Sequence, residues 1–473
     1  MDFKITKENL LEGINIMNSF GTRLTGSKGH NDFVSYLKNE INNMGLEVYS
    51  DRYSFDRWEA KESSIVIHTE TGREKVEVSS EWPYSGETPE HGITAEIVEV
   101  KEKHIGFMAV KNKIALVRVH DLGQIPTGVA FNQRNSFPDS LSLPAYYKGP
   151  VATSFVNFPL FSVAKKMGAK AVICIWQGMS SEMVKGQYLS FIQSYLGIPC
   201  LWVSEKEGDK LIRAARNKQK VTLTLLAEKE KNAKTESFYS VIEGENSKEA
   251  IIINTHTDGT NCVEENGAVA MLEMMKYFKD KQMNRTLIFV FVTGHFRLHD
   301  FKKNDIQASS KWLKIHRDMW DGKNGHIKAV AGVSVEHLGC TEWKDVEGEY
   351  RQTNDIDIEL VYTGNKKMDD IYYEAVKSRN HIRTITLRGH NILHFGEGQP
   401  LRNVGIPEIA LVTAPDYLTV VSESHEMEKF NLDLMYEQTL TFTEIIHKID
   451  ETPSGHLGKP ERYTFGLGRI KNK

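Results

Sequence analysis

Histidines and acidic residues follow several runs of β-branched residues in the C-terminal half of the sequence. His256 and Asp258 come after EAIIINT, His295 comes after RTLIFVFVTG, and Glu336 and His337 come after IKAVAGVSV. Ligands of an open α/β sheet bind beyond the carboxyl ends of its strands, so these side chains are expected to converge. Imidazole and carboxylate groups together suit zinc or a similar divalent ion.

Two further acids lie close to His256 in the sequence. Glu264 and Glu265 precede GAVAMLEMMKYFKD, which has the pattern of a helix. Acids at a helix start either complement the helix dipole or act as metal-bridging carboxylates. Their closeness to His256 favours the second interpretation. The nearby Asp258 carboxylate is expected to orient the His256 ring.

Other polar residues near predicted strand ends carry weaker signals. Taken singly, each is explained by a solvated loop, and the two arginines among them are expected to be surface charges that could bind a carboxylate. The set comprises Arg297, His390, His394, Glu397, Arg402, Asp416, Tyr417 and His425.

Alternating strand and helix patterns between about residues 238 and 450 position the main candidates. Their continuous Val/Ile runs predict a sheet that is buried on both faces, as in α/β folds. Residues from about 60 to 232 carry shorter β-rich runs and two helix patterns, which predict a compact α+β module. Residues from about 7 to 47 predict two helices joined by the Gly/Ser/Thr-rich turn GTRLTGSKGHN.

Composition indicates a globular protein of two or three domains. The chain has 473 residues and a formal net charge of -4, which gives no electrostatic reason to expect a nucleic acid or an acidic membrane as partner. No apolar run of about 18 residues predicts a membrane span. The start does not have the pattern of a signal peptide, and the four cysteines form no CxxC pair. A cytoplasmic location with reduced thiols is therefore expected.

Several segments resemble the M28 metallopeptidases, in the order of that family and over most of the chain. They are GTRLTGSKGHNDFVSYLKNEINNMGLEV, SVIEGENSKEAIIINTHTDG, GAVAMLEMMKYF and GIPEIALV. FPLFSVAKKMGAKAVICIW and GIPCLWVSEKEGDKL resemble a protease-associated domain. The resemblance implies an α/β/α sandwich of the phosphorylase/hydrolase-like (zinc exopeptidase) type with an inserted β-rich α+β domain. The implied division is 1–58 for the N-terminal part of the peptidase-like domain, 59–233 for the insertion and 234–473 for the main peptidase-like domain.

The resemblance also implies a set of zinc ligands. His256 matches the first zinc-binding His of the family, and Asp258 matches the partner of that His. Glu264 or Glu265 would supply the bridging carboxylate. Glu336 matches the next acidic ligand.

The sequence departs from the family at the catalytic positions. Gly294 stands where the family has its general-base Glu, and Gly cannot accept a proton. His295 stands where a second Glu is expected and could replace it as a ligand. Thr419 stands near the position of the last His ligand, and His425 in the same loop could substitute for it.

Three functions remain open. The first is a divergent metal-dependent peptidase or amidohydrolase with one or two divalent ions, expected to be zinc, and with Glu265 or His337 as the base. Its substrate would be a peptide or small amide. The second is a catalytically inactive relative that binds a peptide or protein partner. The third is a metal enzyme of another class on the same scaffold, for instance one that uses iron. No sequence pattern predicts an oligomeric state.

Overall fold

The helices and strands follow the predicted alternation along the chain. The computed structural model describes residues 4–100, 106–120, 126–146, 149–156, 160–298, 307–390 and 394–461. The strands are β1 (Tyr49–Thr69), β2 (Gly72–Val76), β3 (Ser80–Glu81), β4 (Ile93–Glu99), β5 (Ile114–His120), β6 (Asn132–Phe137), β7 (Ala171–Gln177), β8 (Cys200–Val203), β9 (Lys220–Ile242), β10 (Asn246–His256), β11 (Arg285–Val292), β12 (Lys328–Ser334), β13 (Thr341–Val346), β14 (Glu349–Ile356), β15 (Glu359–Thr363), β16 (Thr384–Arg388) and β17 (Glu408–Leu411). The helices are α1 (Lys7–Ser19), α2 (Lys28–Asn43), α3 (Thr127–Ala130), α4 (Pro150–Val156), α5 (Leu160–Lys166), α6 (Ser181–Val184), α7 (Glu205–Arg216), α8 (Gly267–Phe278), α9 (Ser309–Ile315), α10 (Lys366–Val376), α11 (Gly398–Asn403), α12 (Leu432–Glu451) and α13 (Ser454–Leu457).

In the described part of the chain, a mixed sheet of 15 strands has the order β3-β8-β7-β5-β4-β9-β11-β10-β12-β17-β15-β16-β6, with β1 beside β9 and β2 beside β1. Alternate residues of β10 point to opposite faces of the sheet. Ile251 and Ile253 join the core formed with α1, α2, α8 and α12. Ile252 joins the core on the other face, with α9 and α11. The predicted α/β sandwich, buried on both faces, is confirmed.

The long antiparallel strands β1 and β9 connect the main sheet to the middle of the chain. β9 pairs with β11 through residues 238–242 and with β4 through residues 220–223. Because β9 runs antiparallel to β11, its earlier residues continue past the carboxyl end of β11. The module built on β4, β5, β7 and β8 therefore lies on the side of the main sheet where the candidate site is expected.

The middle module has cores of its own. β7 is buried at every position, and Trp176 stacks on Trp202 of β8 with ring centroids 3.8 Å apart. β6 also falls within residues 59–233, yet it pairs antiparallel with β16 at the far edge of the main sheet. Residues 132–137 thus contribute to the main sheet, and the other proposed domain boundaries stay predictions.

All four cysteines are buried free thiols. Within the described ranges, no helix combines the length and the apolar character needed to cross a bilayer.

Candidate metal centre

His256 ends β10, and its ring is fixed by the turn that follows. Its Nδ1–H group donates to the carbonyl oxygen of Asp258 at 2.9 Å, so the neutral ring keeps its lone pair on Nε2. Nε2 is buried and has no hydrogen-bond partner in the described part of the chain. Metal-binding histidines characteristically donate their other ring N–H to a carbonyl or carboxylate oxygen.

His337 has the same arrangement beyond the end of β12. Its Nδ1–H donates to the carbonyl oxygen of Thr413 at 2.7 Å, while its Nε2 is buried without a partner among the described residues. Its backbone is left-handed, with a φ of 55°. Burial, together with the neighbouring histidines, lowers the pKa of His256 to about 3 and that of His337 well below its usual value. Both rings are therefore neutral at pH 7, as metal ligands must be.

Glu264 lies between these two rings. Its Oε1 is 3.6 Å from His337 Nε2, and its Oε2 is 3.7 Å from His256 Nδ1. One ligand atom from each of the three residues lies within 4.8 Å of the other two. Burial raises the pKa of Glu264 well above its usual value, and the carboxylates of Glu265, Asp258 and Glu336 add to this effect. A nearby cation would lower that pKa.

Glu265 is paired with Arg23, whose Nε donates to Glu265 Oε1. The guanidinium is fully buried and also donates from Nη2 to the carbonyl oxygen of Asn261 at 3.0 Å. Burial raises the pKa of Glu265 to about 7, although Arg23 acts in the opposite direction. A Cβ at Gly259 would collide with the carboxylates of Glu264 and Glu265, so this close approach requires glycine.

The carboxylate of Asp258 anchors the loop after β11 instead of contacting the His256 ring. Its Oδ2 accepts the hydroxyl of Thr25 and the N–H groups of Gly294 at 3.1 Å and Phe296 at 3.0 Å. It is the backbone carbonyl of Asp258 that orients His256. Asp258 thus does orient the His256 ring, but through its backbone carbonyl and not through the carboxylate that was expected.

His295 stacks on His256, with ring centroids 4.0 Å apart and planes inclined by 11°. Its Nδ1–H donates to Glu397 Oε1 at 2.8 Å, and its Nε2 lies 3.9 Å from Glu264 Oε1. Burial is the largest single influence and lowers the pKa of His295, but the hydrogen bond to Glu397 and the charges of Glu397, Glu336 and Asp258 together raise this pKa above its usual value. Gly294, just before it, has a φ of 98°, which is strained for other residues.

Glu336 lies beside Glu397 at the edge of this cluster. Its Oε1 accepts the backbone N–H of Glu397 at 2.6 Å, and its unpartnered Oε2 is 4.0 Å from His337 Nε2. Burial and the charge of Glu397 raise the pKa of Glu336 to about 8. The cluster thus gathers residues from the loops after β10, β11, β12 and β16.

Several sequence-based expectations about the weaker candidates are wrong. Glu397 is fully buried instead of solvated, and His394, Arg297 and Arg402 are buried as well. His394 lies 3.6 Å from the buried Glu408 carboxylate, which explains how this imidazole is accommodated. The prediction that these side chains are exposed is wrong because the local sequence does not show which distant polar groups they pair with in the fold.

His425 is not one of the three residues whose ligand atoms converge. Its carbonyl oxygen accepts the N–H of Cys262 at 2.9 Å, and its backbone is left-handed. Thr419 faces the middle module, where its hydroxyl donates to Gln187 Oε1 at 2.6 Å. Tyr417 is buried and donates to the carbonyl oxygen of Thr341 at 2.9 Å.

The turn between α1 and α2 supplies supporting residues that the sequence-based site did not contain. Arg23 and Thr25 bind site carboxylates, and His30 Nε2 lies 2.9 Å from the hydroxyl of Thr257. The hydroxyl of Ser27 caps α2 by accepting the N–H of His30. The signal for these roles was the turn GTRLTGSKGHN itself, which the family resemblance had already singled out.

The donor set fits a divalent cation. Two neutral imidazoles and one carboxylate form a His₂Glu set, which is known from catalytic zinc sites. A buried polar group without a partner costs about 1–3 kcal/mol. Since His256 Nε2, His337 Nε2 and Glu264 Oε2 lack partners within the described residues, a cation would offset several such costs.

Comparison with known proteins relates the fold to solved structures. No protein-family model and no curated protein sequence matches the chain. An aminopeptidase from Aneurinibacillus sp. strain AM-1 is similar in structure, with a TM-score of 0.59, 16% identity, and coverage of 98% of this chain and 97% of its own. The zinc aminopeptidase BSAP from Bacillus subtilis gives 0.64 at 14% identity, over 96% of this chain and 98% of its own. A peptidase M28 precursor from Shewanella amazonensis SB2B gives 0.62 at 14% identity, over 94% and 96%.

The chain has the fold of the M28 aminopeptidases. This fold confirms the α/β sandwich that the family resemblance implied, and the inserted domain stays a prediction. At such low identity the likeness concerns the fold, and the reaction has to be argued from the residues of the site. In this M28-type fold the converging ligand atoms come from the loops after β10 and β12, at the edge of the sheet predicted to hold the site.

Proposed function

We propose that the protein is a metal-dependent peptidase or amidohydrolase of the M28 aminopeptidase type. His256, Glu264 and His337 would hold zinc or a similar divalent ion, with Glu336 as an additional donor at the edge. The observation that carries this proposal is the convergence of three buried ligand atoms within 4.8 Å, supported by the Nδ1–H donors that leave both Nε2 atoms free.

The ion, when bound, would polarise the scissile carbonyl as a Lewis acid. His295 would accept the proton of the attacking water at Nε2, since its Nδ1–H is already committed to Glu397. This role compensates for Gly294, which stands where the family has its base. We assign His337 to the ligands and Glu265 to the pair with Arg23, so His295 replaces these two earlier candidates for the base.

A short peptide or small amide suits the enclosed site. Phe191 of the middle module lies over His295, with ring centroids 6.0 Å apart, and His295 is only 7% exposed. A cavity of about 290 Å³ adjoins the site between the module and the main sheet, lined by Thr25, Tyr188 and Phe296 among others. Its walls combine aromatic rings such as Tyr188 and Phe296 with charged groups such as Arg57 and Glu59.

Residues 59–233 would then act as a protease-associated-like domain that limits access to the site. The buried free thiols support a reducing, cytoplasmic environment. The net charge of -4 gives no reason to expect a nucleic-acid substrate.

A second candidate is an inactive relative that binds a peptide or protein. The observation that favours it is the left-handed backbone of Gly294, with a φ of 98°, which disfavours the glutamate that the family uses as base. The ligands could then hold an ion that only stabilises the fold.

The test is hydrolysis of a panel of aminoacyl amides and dipeptides by protein stripped with a chelator and reloaded with zinc. We expect turnover only after reloading and a decrease of about 10²–10⁴-fold in His295→Ala, the usual effect of losing a general base. His447→Ala is the matched control, because this half-buried histidine of α12 contacts Tyr277 and is expected to keep full turnover. Peptide binding without turnover in the zinc-loaded protein would favour the second candidate.

A further inference from the structure

Glu397 connects the separate loops of the candidate metal centre. We propose that Glu397 is a positioning residue that fixes the tautomer of His295 and the direction of the Glu336 carboxylate, so that both side chains serve the ion site. The inference rests on the proposed function, since it assigns a role in building that site. Glu397 itself touches neither of the His256 and His337 ligand atoms.

The side chain of Glu397 is surrounded by three donors. Its Oε1 accepts the Nδ1–H of His295 at 2.8 Å and the N–H of Ala308 at 3.3 Å, and its Oε2 accepts the N–H of Ser309 at 2.7 Å. Two of these donors are backbone N–H groups at the start of α9, and a backbone N–H remains a donor at every pH. The carboxylate is therefore held in place independently of His295, and it determines which ring nitrogen of His295 carries the proton.

The backbone of Glu397 reaches the neighbouring loops. Its N–H donates to Glu336 Oε1 at 2.6 Å, while Oε2 of Glu336 has no hydrogen-bond partner within the described ranges. Its carbonyl oxygen accepts the side-chain amide of Asn254 in β10 at 3.0 Å. A single residue thus ties together the strands that carry His256, His295 and Glu336.

Stacking makes this hydrogen bond decisive for His295. The ring lies flat against His256, so in-plane contacts select its tautomer. With Nδ1–H bound to Glu397, the lone pair of Nε2 faces Glu264. Without an acceptor at Nδ1, the proton is free to move to Nε2, which would direct a donor at the ion site instead of a lone pair.

Glutamine at position 397 is the sharpest perturbation, because it keeps the shape of the side chain. A glutamine offers one acceptor oxygen, whereas the three donors here approach both oxygens of the carboxylate. Its NH₂ group would then lie opposite either the Nδ1–H of His295 or the backbone N–H of Ser309, and two donors cannot form a hydrogen bond with each other. Glu408→Gln is the matched control, because Glu408 is also fully buried and lies 3.6 Å from an imidazole, that of His394.

The experiment compares wild type, Glu397→Gln and Glu408→Gln by nitrogen NMR of histidine-labelled, metal-free protein and by zinc titration against a competing chelator. We expect His295 to be the Nδ1–H tautomer in wild type and in Glu408→Gln, and to lose this tautomer in Glu397→Gln. Zinc affinity is expected to fall about 10–100-fold in Glu397→Gln, as for other residues that support metal ligands, and to stay unchanged in the control.

An unchanged His295 tautomer and an unchanged zinc affinity in Glu397→Gln would overturn the inference, as would an equal loss of affinity in the control. If Glu397→Gln does not fold, Glu397→Asp takes its place, and a wild-type tautomer with a weaker zinc affinity supports the inference. The tautomer is read without metal. A wild type that binds no zinc and has no turnover would therefore defeat the proposed function while the NMR result still decides the role of Glu397.

Discussion

Glu359, at the start of β15, and Glu264, in the loop before α8, are each only 1% exposed. The Glu359 cluster consists of Glu359, Tyr372, Arg379 and Gln438. In it, Glu359 Oε2 accepts Arg379 Nη1 at 3.1 Å, and Oε1 accepts Gln438 Nε2 at 2.6 Å. Glu264 has no arginine or amide partner among the described residues and faces the two imidazoles and the Glu265 carboxylate instead.

On the proposed function, Glu359 is a charge that stabilises the fold, whereas Glu264 is a charge that binds the ion. Donors on both oxygens stabilise a buried carboxylate, and Glu359 has such donors in Arg379 and Gln438. At the candidate metal centre the Nδ1–H groups of His256 and His337 donate to backbone carbonyl oxygens. Their Nε2 atoms and Glu264 Oε2 have no hydrogen-bond partner among the described residues. A cation between these groups would favour the ionised form of the Glu264 carboxylate and offset the cost of burying it.

The largest expected effect is on the fold, at Glu359. We expect Glu359→Gln to lower the free energy of unfolding by about 3–5 kcal/mol, because it leaves the buried Arg379 guanidinium without its carboxylate. Urea unfolding of the metal-free protein measures this change. Zinc affinity should stay at its wild-type value, and a loss of zinc binding would remove the distinction between the two clusters.

The same substitution at Glu264 should do the opposite. We expect Glu264→Gln to lower zinc affinity by at least the roughly 10–100-fold seen when only a supporting residue is lost. The metal-free protein should unfold at a higher urea concentration than wild type, because a repulsive carboxylate has been removed. If Glu264→Gln destabilises the metal-free protein as strongly as Glu359→Gln does, the proposed difference between the two carboxylates is wrong.

The stability of the metal-free protein is expected to depend on pH through the carboxylates of the candidate metal centre. The pKa of Glu336 is raised from 4.5 to about 8, and that of Glu265 to about 7, so the folded state binds more protons than the unfolded state in this range. The free energy of unfolding changes with pH in proportion to the protons bound by the unfolded state minus those bound by the folded state. Because this difference is negative here, the free energy of unfolding decreases as the pH rises.

The buried His256 acts in the other direction, but only between about pH 3 and 6.5, where its unfolded form alone is protonated. Above pH 6.5 the carboxylates therefore determine the sign, and the melting temperature of the metal-free protein should decrease from there to pH 8. Glu336→Gln should flatten this slope, which differential scanning calorimetry measures. A melting temperature that rises over the same interval would contradict the assignment.

The smallest expected effect on stability is that of a substitution at Gly294. This substitution tests backbone strain without changing any charge. Gly294→Ala should destabilise the protein by about 1 kcal/mol, because its φ of 98° is unfavourable for alanine. Gly455→Ala in α13 is the control, since its Cβ would meet nothing within 4 Å and its φ is not positive. Urea midpoints of the two variants should move apart, and equal midpoints would show that the loop after β11 adapts to a side chain.

The architecture could be predicted from the sequence because it depends on local periodicity. The continuous apolar run of β11 and the alternating faces of β10 follow from residue type alone. The positions of His256, His295, Glu336 and His337 at one edge follow from the rule about strand ends.

The pairing of polar groups could not be predicted, because it joins residues that are distant in sequence. Glu397 is 102 residues from His295, and Arg23 is 242 residues from Glu265. Neither contact leaves a periodic signal, so Glu397 was expected to be solvated. Which of Glu264 and Glu265 faces the imidazoles was likewise open, since only the tertiary position of Arg23 distinguishes them.

The most direct measurement is an anomalous difference map from crystals of the zinc-loaded protein, recorded on both sides of the zinc absorption edge. We expect a peak in contact with Nε2 of His256, Nε2 of His337 and the carboxylate of Glu264. A map without a peak there, or with zinc bound only at residues outside this group, would contradict it.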